Sequence, residues 1–170
     1  MSSTSRSILT VPSEVEAVLC EFRCAEFSTI TRDGCPVAVQ VSPLWQPAEG
    51  RLLVTTGIGL PNKAYNAHRN RHVSLLFSNP IGSGLDDSPA VLVQGDATVS
   101  ELTLWDDDLA EFYPWIMTRQ PMGQRVSGNP VTRWLMDWYY MRLLIHIEPT
   151  RIRWWPHRDM SRAPQEVTRS

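Results

Sequence analysis

The chain has 170 residues, 42% of them hydrophobic and 20% charged, and a formal net charge of −2. That length predicts one domain with a substantial core, and the near-neutral charge argues against a nucleic-acid binder, which presents a basic face. No apolar run reaches the roughly 18–20 residues needed to span a bilayer, so no membrane partner is expected either.

The opening residues, "MSSTSRSILTVPSEV", hold one arginine and no long apolar core. They do not read as a signal peptide, so a cytoplasmic location is expected, with the three cysteines as reduced thiols. Residues 1–11 read as a flexible arm, 12–156 as a single domain and 157–170 as a polar, frayed tail. A helix is predicted from Ser13. There Ser13 and Glu16 fit a capping box, and Val15, Val18, Leu19 and Phe22 form an apolar stripe.

From Phe27 the hydrophobic period changes to two. "FSTITRDGCPVAVQVSPLW" predicts two strands around an Asp33-Gly34 turn. Val37, Val39, Val41 and Trp45 share one face of the second strand; Ala38, Gln40, Ser42 and Leu44 share the other. Pro43 interrupts the ladder and marks an edge or bulge. "RLLVTT" is a third strand, "PNKAYNAHRN" a short helix started by Pro61, "HVSLLFS" a fourth strand and "PAVLVQGDATVS" a fifth.

A helical insertion is expected over about 101–138. Trp105, Leu109, Phe112 and Ile116 form one stripe, with Pro114 inside it as a possible kink. Val131, Trp134, Leu135 and Trp138 form a second, and a loop joins the two. Asp106, Asp107 and Asp108 at the start of the first helix are explained by the macrodipole, which favours acids there. "YYMRLLIHIE" and "TRIRWWP" then predict a hairpin hinged at Pro149, with Met141, Leu143, Ile145 and Ile147 on one face. Six or seven antiparallel strands with flanking helices close most economically as a barrel, because closure removes exposed edges.

Candidate chemistry is sparse. No CxxC pair is present, and His68 and His72 lack neighbouring cysteines, so no metal site is expected. No GxSxG, HExxH or acid–base pair stands out, and GxxxxGK[ST] and GxGxxG are absent. One feature is unusual: of the 16 basic residues, Lys63 is the sole lysine. It follows a Gly-Ile-Gly turn, in the first turn of the short helix. A cation there opposes the helix dipole, and an anion bound at the same place reverses the sign. The hydroxyls of Thr55 and Thr56 and the amide of Asn62 would add donors. Two readings stay open from the residues alone: an anion site, or an ordinary surface lysine behind a common turn.

The order "FSTITRDGCPVAVQVSPLW…GRLLVTTGIGLPNKAYNAHRNRHVSLLF…AVLVQGDATV" resembles the split-barrel flavin-binding family related to pyridoxamine 5′-phosphate oxidase. Many members of that family use a deazaflavin in place of FMN. The matching features are Thr29 to Pro36, Pro43-Leu44-Trp45, Thr55-Thr56, Lys63 to Asn70, Val73 to Phe77 and Gly95-Asp96-Ala97. The closing "IEPTRIRWWP" is similar to the family's last hairpin. The chain departs from the pattern at Asn62, where Ser or Arg is usual, and at Ala67 and Asn70-Arg71.

The resemblance implies a mainly β, antiparallel split β-barrel that forms a homodimer, with two cofactor sites at the subunit interface. It places Lys63, Asn62 and Thr56 at the phosphate or ribityl end and Gln40 and Ser42 near the tricyclic ring. Trp155 or Trp154 would reach across from the partner. It also implies an oxidoreductase that passes hydride between FMN or the deazaflavin coenzyme F420 and a small conjugated substrate, with the chemistry supplied by the cofactor. FMN needs one phosphate cradle. The deazaflavin coenzyme, with its phosphodiester and polyglutamate tail, needs a longer cationic groove, for which Arg69, Arg71, Arg151 and Arg153 are the candidates. The arginine bias of the composition tips the expectation slightly toward the deazaflavin. The alternative is a non-catalytic flavin, deazaflavin or haem-related binding or carrier protein of the same fold.

Overall fold

The computed structural model describes residues 9–103, 106–119 and 142–169. The chain runs through α1 (Ser13–Glu21), β1 (Ala25–Ile30), β2 (Pro36–Val41), β3 (Leu44–Gln46), β4 (Arg51–Gly57) and α2 (Asn62–Arg69). It continues through β5 (His72–Phe77), β6 (Ala90–Val99), α3 (Asp107–Arg119), β7 (Arg142–Trp155) and β8 (Gln165–Thr168).

The strands form one antiparallel sheet in the order β2-β1-β5-β6-β7-β4-β3, with β8 alongside the second half of β7. β2 and β3 lie at opposite ends of this order, yet only Ser42 and Pro43 join them. Seven flat strands would separate those ends by roughly 29 Å. A two-residue link reaches only roughly 10 Å. The sheet therefore curls until its ends come near each other, which gives the mainly β, split-barrel architecture that the resemblance implies. The proline that interrupts the second predicted strand is the corner where the chain leaves one end and enters the other.

Alternation decides what fills the curl. Ala25, Phe27 and Thr29 of β1, Val73, Leu75 and Phe77 of β5, Val91 and Val93 of β6, and Ile145, Ile147 and Ile152 of β7 are all buried. α1 closes the interior with Val15, Val18 and Leu19, and the Phe22 and Phe77 rings meet edge-on at 6.4 Å. A smaller cluster lies on the opposite face, where Leu109 and Phe112 of α3 cover Leu44, Leu53 and Leu144.

Several expectations are corrected. α1 begins at Ser13, but no side chain caps it; the Pro12 carbonyl accepts from Val15 and Glu16 N–H at 3.0 and 2.9 Å instead. Part of the expected flexible arm is anchored, since Leu9 is buried and Val11 packs against the same core. Part of the expected frayed tail is β8, which pairs Gln165–Thr168 with Trp154–Arg151. The predicted Pro149 hairpin is instead one continuous strand, β7. β6 is ten residues long and pairs with both halves of β7, so no turn forms. Proline's missing N–H is absorbed in a bulge, where the register shifts between Gln94 and Gly95 and the Thr150 hydroxyl donates to the Gln94 carbonyl at 3.2 Å. The predicted helix over 130–138, its preceding loop, Trp105 and Met141 lie outside the described residues.

The acids of α3 do more than meet the helix dipole. Asp106 Oδ1 accepts the Asp108 N–H at 2.9 Å. Asp108 then accepts from Gln46 Nε2 at 2.8 Å and Arg51 Nη2 at 2.9 Å, and pairs with His146 Nε2 at 2.7 Å. Burial pushes its carboxyl up. The hydrogen bonds from Gln46 and His146, with the Arg51 and His146 charges, outweigh that and hold it below 3.8. This polar knot ties α3 to β3, β4 and β7 beside the apolar cluster.

Two outcomes follow. Gly95→Ala should lower stability by about 1–3 kcal/mol in urea unfolding, because a methyl there strikes the Glu148 carbonyl and Ile147. Asp108→Asn should cost about 1–3 kcal/mol at pH 7, the scale of a lost buried partner. A depressed carboxyl stabilises above its unfolded value near 3.9 and loses that contribution as pH falls through its folded value, so the difference between variant and parent should shrink below about pH 4. A pH-independent difference would assign the loss to packing alone.

Candidate functional site

β4 ends in Thr55, Thr56 and Gly57, and a short turn leads into α2. Thr56 points inward and is buried, and its hydroxyl donates to the Leu60 carbonyl at 2.8 Å. Leu60 N–H donates to Gly57 O at 3.1 Å, so one turn is closed from both sides. Pro61 is the N-cap residue, and its carbonyl accepts from Ala64 and Tyr65. No side chain caps the helix. The backbone N–H groups of Asn62 and Lys63 therefore carry the positive end of α2 without an acceptor among the described residues.

Lys63 is half-buried at this end. Burial, and then the charge of Arg142, hold its ammonium below the usual 10.5. Arg142 opens β7 opposite Gly57 and exchanges two backbone hydrogen bonds with Thr103, at 3.0 and 2.9 Å. Lys63 makes no hydrogen bond or ion pair among the described residues. One cation from α2 and one from β7 thus converge where helical N–H groups also point. This constellation can hold an anion, which would relieve the burial cost and the like-charge repulsion together.

The remaining expected residues are dispersed. Asn62 is exposed beside Lys63, while Thr55 is half-buried on the opposite face of β4 from Thr56. Ser42 is half-buried at the β2–β3 corner. Gln40 is exposed, with its amide donating to Cys24 Sγ at 3.2 Å. Trp155 is half-buried, and its indole N–H donates to the Arg162 carbonyl at 3.1 Å. It ends the strand that Arg142 begins, roughly 40 Å of extended chain away. One chain therefore gathers Thr56, Asn62 and Lys63 but keeps Trp155 apart from them. Arg142 was not anticipated. It is remote in sequence and belongs to no motif, so only the β4–β7 register reveals it.

A groove of about 490 Å³ opens elsewhere; of the residues expected at a cofactor site, only Arg151, a candidate for the longer cationic groove, lines it. Its lining includes a lateral row in register, Ser28 to Ser74 to Gln94 to Arg151, beside Thr150 at the bulge. Arg151 is held there by Glu166 at 2.6 Å. Among the described residues no group of three or more His, Cys, Asp or Glu is placed to hold a metal, and no helix is long and apolar enough to cross a membrane.

No family model and no curated protein matches the sequence. Solved structures do share the fold. A putative pyridoxamine 5′-phosphate oxidase from Listeria innocua is 20% identical over 83% of this chain and 94% of its own, with a TM-score of 0.53. An F420 reductase is 20% identical over 84% and 98%, with a TM-score of 0.56. A haem-binding protein from Mycobacterium smegmatis is 16% identical over 94% of this chain, which spans 60% of that protein, with a TM-score of 0.58. These likenesses establish the split-barrel fold and stop there.

Because Lys63 is the only lysine, reductive ¹³C-methylation gives a single lysine signal. Its NMR titration midpoint should lie below that of the same signal in the unfolded chain, and inorganic phosphate should raise it. A folded midpoint at or above the unfolded one would dismiss a half-buried ammonium facing Arg142.

Proposed function

We propose that this chain is a flavin- or deazaflavin-dependent oxidoreductase of the split-barrel type, with the cofactor's phosphate held at Lys63. The observation that carries the reading is the half-buried Lys63 ammonium. It has no anionic partner among the described residues and stands beside Arg142 at an uncapped helix N-terminus. The fold shared with an oxidase-like protein and an F420 reductase supports it.

The charge pattern supports FMN ahead of the deazaflavin. The four arginines that a longer groove requires are each engaged within the chain. Arg69 donates to Asn66 and Arg71 pairs with Asp96, while Arg151 and Arg153 share Glu166. Lys63 is a cation with no ion pair among the described residues, and a single lysine anchor suits one terminal phosphate. The protein's part is to bind and orient. Lys63, Arg142 and the helix N–H groups would hold the anion, and Gln40 and Ser42 are the residues proposed to meet the ring. Hydride transfer to and from a small conjugated substrate is chemistry that the cofactor supplies when bound.

A homodimer completes this reading. Trp155 cannot reach Lys63 within one chain, so any pairing of the two requires a second copy. β2 offers a surface for one: residues 36–40 are exposed on both faces, including Val37 and Val39, and the outer edge of the strand has no partner among the described residues. The second reading is a non-catalytic flavin, deazaflavin or haem-related carrier, and the haem-binding neighbour is what favours it.

Absorbance titration of the purified protein with FMN, with coenzyme F420 and with haemin decides among these. FMN should bind, and Lys63→Ala should weaken it by about 1.5–3 kcal/mol, roughly 10- to 150-fold, the scale of a hydrogen bond to a charged group. Unchanged affinity in the variant would remove Lys63 from the site. Tight haemin binding with no flavin uptake would establish the carrier.

A further inference from the structure

α2 has eight residues and little apolar surface with which to fix itself. It buries Ala64, Asn66 and Ala67 against the barrel, and two alanine methyl groups bring only about 0.8 kcal/mol each. A helix held so weakly can rotate about its axis, because apolar contact is non-directional. The third buried residue is of another kind. Asn66 is 7% exposed, and its amide donates at 3.1 Å to the hydroxyl of Thr29, which is 2% exposed. Its carbonyl accepts from Arg69 Nη2.

Thr29 points into the barrel from β1, in line with Ala25 and Phe27. A hydroxyl there interrupts an apolar face, and Asn66 is the group that satisfies it. Turning α2 breaks this bond and leaves two buried polar groups without partners. The asymmetry of hydrogen-bond energetics makes that penalty larger than the bond's own net worth. Lys63 lies three residues before Asn66, on the adjoining part of the helix surface, so the rotation that frees Asn66 also swings Lys63. At the other end the Thr56–Leu60 bond fixes where the helix starts.

We propose that Asn66 and Thr29 are positioning residues for the anion site: their buried hydrogen bond sets the rotation of α2 and so holds Lys63 half-buried beside Arg142. The inference rests on the reading of Lys63 as the phosphate anchor. It predicts that the two residues act on binding without touching the ligand. Arg69 is drawn into the same bond network, which keeps its guanidinium at Asn66.

Thr29→Val removes the hydroxyl at nearly constant shape, Thr29→Ser keeps it, and Asn66→Leu removes the partner. The ¹³C-dimethyl signal of Lys63 reads the outcome in the full chain with no ligand present. In Thr29→Val and Asn66→Leu the midpoint should move back toward the unfolded-chain value, while Thr29→Ser should match the parent. FMN affinity should fall about tenfold in the first two, as expected when roughly a tenth of the molecules keep the competent arrangement. Cooperatively folded Thr29→Val with the parent's Lys63 midpoint would overturn the proposal. If the parent binds no FMN, the phosphate-anchor reading fails, and the ligand-free titration still decides whether the Asn66–Thr29 bond places Lys63.

Discussion

The two-residue link between β2 and β3 is the constraint on which the rest of the structure depends. It obliges a seven-strand path to bend until the ends of its first and last strands come within reach of the link. Bending turns one face of most strands inward, and the alternating Val, Leu, Ile and Phe residues fill that interior without a second layer. It also leaves openings at the ends and an outer wall, and the helices are distributed accordingly. α1 and α2 pack over the interior, while α3 clads the outer face of β3, β4 and β7.

The curl also explains how a short polar helix comes to carry the candidate site. β4 delivers the chain to the rim at Gly57, and β7, its neighbour in register, starts at the same rim with Arg142. Lys63 and Arg142 are thereby brought together by sheet pairing, at the end of a helix whose N–H groups are uncapped. Burying a lysine near another cation is costly in the absence of an anion. The fold accepts that cost through contacts made elsewhere, including the Thr56–Leu60 and Asn66–Thr29 hydrogen bonds. An unfavourable local charge held by a satisfied framework is what a pre-organised anion site requires.

The other charges are arranged differently. Asp108 is surrounded by Gln46, Arg51 and His146, so its burial is compensated and it serves to dock α3. On the outer face, Arg151 and Arg153 share Glu166 across β7 and β8, and Arg71 and His72 share Asp96. Such exposed pairs contribute little to stability. It is against this background that the ammonium of Lys63, without an ion pair among the described residues, stands out.

Period-two alternation and the Asp33-Gly34 turn were enough to predict β1, β2 and β4, because strand patterning and turn chemistry are local properties; that the residues after Pro43 form β3 at the other end of the sheet was not legible. The position of Lys63 behind a Gly-containing turn was legible for the same reason. What the local pattern misjudged were places where a distant partner decides. A proline that reads as a hinge became a bulge because β6 pairs past it on both sides. A polar tail became β8 because β7 offered it an edge. One of a run of acids, Asp108, became a part-buried anchor because Arg51 and His146 face it. The sequence by itself determined most of the strand segments, the Asp33-Gly34 turn and which side chain is the odd cation. Only the tertiary structure decided that Arg142 stands beside that cation, that Asn66 and Thr29 hold its helix, and that Trp155 lies far from it. Those relations arise from strand register and sheet curvature, which depend on contacts between residues far apart in the chain.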